Sequence, residues 1–336
     1  MATIKDVAKK AGVSVAAVSL ITNGRPHRLS EETVERVLQV VKEIDYQPNA
    51  VARSMITKKS NTLAVLVSDS SVPLFADIIK GLEDCLMRRE YSLFLCNTRM
   101  NNEREKNYIK LLVSKQIDGL IVFSSSRAKS QSIDAKSAEG IPIVHYNLPE
   151  ETEQTYSVNC DDYLGGYLAG KYLKERGYHR IGIISGEKVQ IRDKEKMRGF
   201  EKALEEVGDR MEAGLCYSGD YSIASGVEGA QLLLDQGVDA IFAFGNLMAC
   251  GVYKACLERG LSIPEDVAVL GYGDVYTSEL LPVPLTVISV PTWQIGQALG
   301  DKIIGLIQGQ EVEHHTKYEP CIVERASVSM GNIRHR

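Results

Sequence analysis

The first 24 residues of the chain predict two short helices joined by a tight turn. Thr3 and Asp6 have the spacing of a capping box at the start of the first helix. Gly12 follows that helix where a residue with positive φ can end it, and Ser14 can cap the next helix. Two helices joined in this way allow the second one to lie in the DNA major groove. The pattern therefore predicts a helix-turn-helix unit, and a small helical unit without a nucleic-acid role is the alternative.

Apolar spacing predicts how these two helices pack against a third, which Ser30 opens. Apolar residues that recur every three or four positions are expected to face the interior of the unit. The expected inward residues are Val7, Ala8 and Ala11 in the first helix, Val15, Val18 and Ile21 in the second, and Val34, Val37, Leu38 and Val41 in the third.

Charge is distributed unevenly along the chain. Residues 1–60 carry ten Lys or Arg and six Asp or Glu, whereas the whole chain has a formal net charge of −5. The first segment is therefore basic and the remainder acidic. A basic segment attracts the phosphate backbone of DNA, and an acidic remainder is repelled by it. This asymmetry favours nucleic-acid binding by the helical unit over a plain helical bundle.

Beyond residue 60, apolar strand patterns alternate with amphipathic helix patterns. This order predicts parallel sheets joined by right-handed crossovers. Two such units occupy about 61–160 and 162–288, and the chain then returns to the first for a helix and to the second for its end. A chain of 336 residues is long enough to build both units.

Several classes of protein are disfavoured by the sequence. It contains no GxSxG, GxxxxGK[ST] or HExxH motif, so we expect no catalytic activity and no cofactor. The seven cysteines are scattered without CxxC pairs, which argues against disulfides and a zinc site. His314-His315 is interpreted as an isolated pair in a polar loop without further metal ligands. Neither a signal peptide nor a membrane segment is evident, so we expect a cytoplasmic protein.

Five motifs occur in the same order as in a known family of regulators. They are the run from Thr3 to Asn23, the run from Tyr46 to Met55, Gly219-Asp220-Tyr221, the run from Ile263 to Tyr272, and Pro284-Leu285-Thr286. On these motifs the chain resembles the lactose-repressor (LacI/GalR) family over nearly its whole length. The resemblance implies a small all-α helix-turn-helix headpiece and an α/β two-lobed core with parallel sheets, like that of periplasmic binding proteins.

The resemblance also implies the domain limits. The headpiece spans 1–47, a hinge helix and linker span 48–60, and the effector-binding and dimerisation core spans 61–336. Within the core, the N-lobe comprises about 61–161 and 291–322, and the C-lobe about 162–290 and 323–336.

The hinge is expected to fold only on DNA, because about ten residues are too few for a stable isolated helix. The resemblance implies that two hinge helices enter the minor groove together, with Met55 as the apolar wedge where most relatives have Leu. A plain linker is the alternative. Family positions that contact DNA correspond to Thr3, Lys5, Ser14, Val15, Ala16, Ala17, Ser19, Leu20, Asn23, His27, Thr33, Tyr46, Asn49, Ala52, Arg53 and Met55.

The second helix is expected to expose Val15, Ala16, Ala17 and Leu20 to the bases. These small apolar groups can contact thymine methyl groups but cannot form a bidentate bond to guanine. We therefore expect more of the sequence specificity to come from the hinge and from DNA deformability than in relatives with a polar reading helix.

An effector site is implied between the two lobes. An aromatic ring, amides and a cation can hold a sugar or a nucleobase. The family has Asp at the positions of Gly273 and Leu247, so this cleft has lost two acceptors. Either the ligand carries fewer hydroxyls than a free sugar, or a partner protein has taken over part of the control. The implied effector-binding residues are Leu74, Phe75, Asn147, Lys196, Tyr221, Asn246 and Asp274.

Taken together, the residues and the resemblance predict a homodimeric transcription regulator, usually a repressor, on a near-palindromic DNA operator. A small molecule in the cleft, a sugar or related metabolite, would control it. The alternative from another class is a cytoplasmic module that binds a small solute and does not act on DNA.

Overall fold

A computed structural model of the protein describes residues 2–22, 26, 29–47, 59–99, 101–123, 140–148, 153–186 and 191–329. The chain forms two compact units, one over residues 1–61 and one over residues 62–336. Positions 48–58, which include most of the expected hinge, lie outside the described residues.

The described residues of the first unit form three helices whose ends agree with the capping prediction. Thr3 and Asp6 form the capping box: the Asp6 backbone N–H donates to Thr3 Oγ1, and the Thr3 N–H donates to the Asp6 carboxylate at 2.9 Å. Gly12 ends the first helix with φ of +66°. Arg36 Nε donates to the Ala11 carbonyl at 3.1 Å and so ties the third helix to the end of the first. The helices are α1 (Ile4–Ala11), α2 (Val15–Thr22) and α3 (Glu31–Glu43).

The interior of this unit differs from the predicted one in two helices. In α2, Ala17 is buried, whereas Val15 is 41% exposed. In α3, Val40 is buried and Leu38 is 49% exposed. Nearly every residue of α2 is apolar, so spacing cannot show which face turns inward. Packing against α1 and α3 decides which face is buried. The predictions that Ala17 is exposed and that Val15 and Leu38 face the interior are wrong.

The second unit contains two six-stranded sheets, which confirms the predicted class of fold. The strands of the first sheet are β1 (Thr62–Val67), β2 (Ser92–Asn97), β3 (Gly119–Phe123), β4 (Ile143–Tyr146), β5 (Ser157–Cys160) and β11 (His315–Tyr318). All neighbouring strands in it are parallel, in the order β11-β5-β4-β3-β1-β2. The helices of this lobe are α4 (Pro73–Met87), α5 (Asn102–Ser114) and α11 (Thr292–Ile307).

The strands of the second sheet are β6 (Ile181–Ser185), β7 (Cys216–Ser218), β8 (Ala240–Ala243), β9 (Ala268–Tyr272), β10 (Thr286–Ser289) and β12 (Cys321–Val323). Their order is β12-β10-β9-β8-β6-β7, and among these described strands only the β10–β12 pair is antiparallel. The helices of this lobe are α6 (Asp162–Glu175), α7 (Ile191–Glu206), α8 (Ile223–Asp235), α9 (Asn246–Glu258) and α10 (Thr277–Leu280).

The chain crosses between the two sheets three times, after β5, after β10 and after β11. The third crossing precedes Cys321, slightly earlier than the expected limit near residue 322. The sequence missed β11, so the placement of His315 in a polar loop is wrong. His315 begins that strand, and its Nδ1 lies 2.9 Å from Ser157 Oγ on β5. A four-residue polar edge strand carries too little alternation to be recognised from its own residues.

Two glycines allow α6 and α7 to approach closely. A Cβ atom on Gly166 would lie 1.8 Å from the Lys196 carbonyl oxygen, and one on Gly199 would lie 1.9 Å from the Tyr163 carbonyl oxygen. Only hydrogen fits at these two positions. The crossing therefore brings the first turns of α7 against the start of α6, where the charged residues of the core meet.

His145 provides a test of the pH dependence of folding. It is buried on β4 beside Ser157, and burial lowers its pKa from 6.5 to about 4. Below pH 6.5 the unfolded chain takes up a proton that the folded chain accepts only near pH 4. The free energy of unfolding should therefore fall by about 3 kcal/mol between pH 6.5 and pH 4.

Urea unfolding at a series of pH values measures this dependence. In His145→Gln the fall over that interval should largely disappear, whereas the exposed His179→Gln variant should keep it. An undiminished fall in His145→Gln would contradict the assignment to His145.

Candidate functional site

The outer face of α2 is small and apolar, as the sequence predicts. Val15 is 41% and Leu20 is 39% exposed, and Ala16 is also exposed. Ser14 Oγ accepts a hydrogen bond from the Ala17 backbone at 3.1 Å, so this hydroxyl caps the helix. The face offers methyl groups to a groove and no bidentate donor.

Most other predicted DNA-contacting residues of the first unit also have a structural role. Thr3 belongs to the capping box, Thr33 Oγ1 lies 2.9 Å from Ser30 Oγ, and Tyr46 is buried in the core of the unit. Lys5 is exposed, and Ser19 is half-buried. Six of the predicted residues lie outside the described part of the chain: Asn23, His27, Asn49, Ala52, Arg53 and Met55.

In the second unit, the predicted effector residues lie at or near the carboxyl ends of strands. Asn147 directly follows β4, Tyr221 follows β7, and Asn246 and Asp274 follow β8 and β9. In open parallel sheets this end of the strands forms the ligand-binding crevice. Leu74 bridges the lobes at this edge, because a Cβ atom on Gly273 would lie 3.3 Å from its Cδ1.

Aromatic rings form one wall on the N-lobe side. Phe75 packs edge-on against Phe123 and Tyr146, with ring centroids 5.3 and 6.4 Å away. Phe123 and Tyr146 lie 5.0 Å apart. Phe75 therefore packs against two buried rings of the core, Phe123 and Tyr146.

The C-lobe side carries four charged residues in mutual contact, Asp162, Arg192, Asp193 and Lys196, which we call the cleft ion cluster. Arg192 Nε donates to Asp162 at 2.9 Å. Lys196 Nζ lies 3.2 Å from Asp193 and 3.8 Å from Asp162. The Lys196 side chain is only 2% exposed, so it belongs to the interior of the core and not to its surface. Charges this deeply buried require partners, and here each cation has a carboxylate.

Two tyrosines extend the cleft ion cluster. The Tyr221 hydroxyl donates to the Asp193 carboxylate at 2.6 Å, and the Tyr272 hydroxyl donates to Asp162 at 2.8 Å. Lys196 Nζ lies 4.3 Å from the centroid of the Tyr272 ring. The Tyr221 ring also covers Gly186, where a Cβ atom would lie 2.2 Å from it. Tyr221 is therefore held in place through both its ring and its hydroxyl.

These contacts stabilise the charged forms of Asp162 and Arg192. Burial raises the pKa of Asp162, but Arg192 and Lys196 outweigh it and hold that pKa below its usual value. Burial likewise opposes the charge on Arg192, and the neighbouring Asp162 raises its pKa well above the ordinary range. Both groups are therefore ionised at neutral pH.

Two other predicted residues use their polar atoms inside the C-lobe. Asn246 donates from Nδ2 to Ser278 Oγ at 2.9 Å and accepts from Thr277 Oγ1 at 3.0 Å. Asp274 pairs with Arg325 at 2.9 Å. Neither side chain leaves its main polar group free for a ligand in this state of the cleft.

Three members of the cluster, Asp162, Arg192 and Asp193, were not predicted from the sequence. Arg192 and Asp193 lie in a charged run that has the composition of an exposed helix face. The spacing of Asp193 and Lys196, three residues apart on a helix, was the available signal. Asp162 comes from another helix, so only the fold reveals its proximity.

Two family models match the chain. Residues 3–49 match bacterial regulatory proteins of the lacI family, and residues 60–321 match the periplasmic binding proteins and sugar binding domain of the LacI family. The chain belongs to the LacI family. Its predicted class, a transcription regulator and not an enzyme, is thereby confirmed.

Individual relatives agree with this assignment. The HTH-type transcriptional repressor PurR of Mannheimia succiniciproducens is 34% identical over 331 residues, covering 98% of this chain and 99% of that protein. The PurR repressor of Pasteurella multocida is 35% identical over 298 residues, covering 88% and 89%. Both chains therefore align with this LacI-family member over nearly their whole length.

Solved structures show the same fold. A complex of the transcriptional regulator CelR with cellobiose has a TM-score of 0.74 at 29% identity and covers 97% of this chain and 100% of its own. The Lac repressor dimer bound to operator and the anti-inducer ONPF has a TM-score of 0.87 at 24% identity and covers 97% and 99%.

Among the described residues, no helix is both long and apolar enough to cross a membrane.

Proposed function

We propose that this LacI-family protein represses transcription as a homodimer bound to a near-palindromic operator. The observation that carries the proposal is the capped α1–α2 pair on a basic unit, with the outer face of α2 exposed. The PurR relatives are named as transcriptional repressors, and the Lac repressor neighbour is a dimer bound to operator. Family membership disfavours the alternative of a solute-binding module that does not act on DNA.

Exposed apolar side chains offer surfaces for the second copy. The edge strand β2 exposes Phe94 and Leu95 by 48% and 51%. In the C-lobe, Leu257, Tyr276 and Leu280 are 74–80% exposed. In a dimer with twofold symmetry, a patch on one copy packs against the same patch on the other copy. The two headpieces then face the two half-sites of the operator.

Control is proposed to act through a small molecule between the lobes. The predicted effector residues lie at or near the carboxyl ends of strands in both lobes, and the chain links the lobes at three crossings. A ligand changes operator binding only if it binds the competent and incompetent states with different affinity. Such a repressor works in the cytoplasm, where the operator is.

Selection of full-length protein on random duplexes tests the DNA-binding proposal. We expect enrichment of one site with two inverted halves, protected from nuclease over both halves. The variant Lys5→Ala should retain the preferred sequence and bind more weakly. Enrichment of no sequence, or of a single unrepeated half, would overturn the proposal.

We expect Tyr221 to link the binding of a ligand in the cleft to the affinity for the operator. Tyr221→Ala removes the ring over Gly186 and should abolish the response of operator binding to an effector-containing extract fraction. Tyr221→Phe keeps the ring and loses the hydroxyl that donates to Asp193, so it should retain a response. Electrophoretic mobility shift with and without the fraction measures both. Equal responses in the two variants would exclude a role for the ring.

A further inference from the structure

The cleft contains a cavity whose unsatisfied polar groups are hydrogen-bond donors. It has a volume of about 150 Å³ and reaches Asn147, Asn159, Asp161, Asp162, Arg192 and Lys317. The side chain of Asn147 accepts from the Cys160 backbone through Oδ1 at 2.8 Å, but its buried Nδ2 has no hydrogen-bond partner among the described residues. Asn147 is only 6% exposed, so this donor has no access to bulk water. A buried unpaired donor that lines a cavity implies a missing acceptor.

Arg192 provides further donors at the same cavity. Within the described part of the chain only its Nε is hydrogen-bonded, to Asp162. Its two terminal nitrogens remain available, and its guanidinium carbon lies 5.6 Å from the ring centroid of Tyr146. The Tyr146 hydroxyl is also buried without a hydrogen-bond partner among those residues. The terminal edge of a guanidinium matches two oxygens of a carboxylate or phosphate.

The acidic groups at this cavity already have partners. Asp161 pairs with Lys317 at 2.6 Å, and Asp162 pairs with Arg192 at 2.9 Å. Glu195 also lines the cavity and pairs with Arg198 at 2.6 Å. The oxygen of Asn246, which could serve a ligand hydroxyl, accepts from Thr277. A polyol requires acceptors as well as donors, because each of its hydroxyls donates one hydrogen bond. The carboxylates at this cavity are therefore paired with cations, whereas the Asn147 Nδ2 donor is unpaired, which favours an oxyanion over a polyol.

We propose that Arg192 and Asn147 together bind an oxyanion, a carboxylate or phosphate group, of the effector. This inference rests on the proposed role of the cleft as the effector site. It adds Arg192 to the ligand-binding residues and names the chemical class of the ligand. The oxyanion would accept from the two terminal nitrogens of Arg192 and from Asn147 Nδ2.

Asn147→Asp is the sharpest test, because it changes the free donor into a carboxylate oxygen and little else. The remaining oxygen can still accept from Cys160, and Asp tolerates the left-handed backbone of this residue, whose φ is +53°. The matched control is Asn101→Asp. Asn101 caps α5 through its side-chain oxygen, so the same charge change there preserves the cap.

Titration calorimetry on the full-length proteins at constant ionic strength measures the affinity for each probe. The probes are inorganic phosphate and acetate, tested separately, and xylitol as the neutral probe. We expect at least one oxyanion to bind the wild type and Asn101→Asp equally, and to bind Asn147→Asp about tenfold or more weakly. Which of the two binds distinguishes phosphate from carboxylate ligands. Arg192→Gln should show the same loss if it folds.

Three outcomes would overturn the inference: no oxyanion binding by the wild type, equal oxyanion binding by Asn147→Asp, or xylitol binding alone. Equal binding would locate the anion elsewhere, as at the basic headpiece. Operator affinity measured on the same proteins separates the two proposals. If Asn147→Asp and the wild type bind operator equally well, a negative result in calorimetry overturns only the oxyanion inference. If the wild type does not bind operator, the proposed function itself is overturned.

Discussion

Raising the salt concentration from 50 to 200 mM should weaken operator binding by the full-length protein about a thousandfold or more. The headpiece exposes Lys5, Lys9 and Lys42 on a unit that carries a net positive charge. Each phosphate that such a cation contacts releases counterions, and the affinity therefore falls steeply with salt. The core is acidic and cannot compensate. Fluorescence anisotropy with labelled operator measures the slope of affinity against salt.

A substitution of a single lysine calibrates this slope. Lys5→Ala should reduce its magnitude by about one unit, since one phosphate contact is lost. Lys254→Ala removes an exposed lysine of the core and should leave the slope unchanged. A flat salt dependence in the wild type would contradict the assignment of the headpiece to DNA.

Asp193→Ala should lower the free energy of unfolding of the core by about 3–5 kcal/mol. The substitution leaves Lys196, which is 98% buried, with only the longer contact to Asp162 at 3.8 Å. It also deprives the Gly186 N–H and the Tyr221 hydroxyl of the oxygens that accept from them. A buried charge or donor that loses its acceptor is costly to keep in the folded state. Urea unfolding followed by circular dichroism at pH 7 measures the change.

The matched control lies on the same helix. Glu195 and Arg198 are 2.6 Å apart, but their side chains are 36% and 65% exposed. Solvent screens such a pair, so Glu195→Ala should cost no more than about 1 kcal/mol. Lys196→Met combined with Asp193→Ala should be less harmful than the sum of the single variants, because no unpaired charge remains. Similar losses in Asp193→Ala and Glu195→Ala would show that the cleft ion cluster has no special role.

Local patterns predicted the headpiece ends well and its interior less well. The caps at Thr3 and Ser30 and the stop at Gly12 depend on a few adjacent residues, so their spacing is sufficient evidence. The choice between Val15 and Ala17 as the buried residue depends on where α1 and α3 lie. A helix that is apolar all round carries no signal of its orientation.

The alternation of strands and helices beyond residue 60 specifies a pair of parallel sheets, because only crossover connections satisfy that order. The family motifs further indicate which strand ends form the cleft. The tertiary fold alone decides which charges meet there. Asp162 and Lys196 are 34 positions apart on different helices, and the glycine contacts between those helices bring the two side chains to 3.8 Å. Sequence periodicity describes one helix or strand at a time. Whether a buried charge has a partner depends on how closely several helices and strands approach one another.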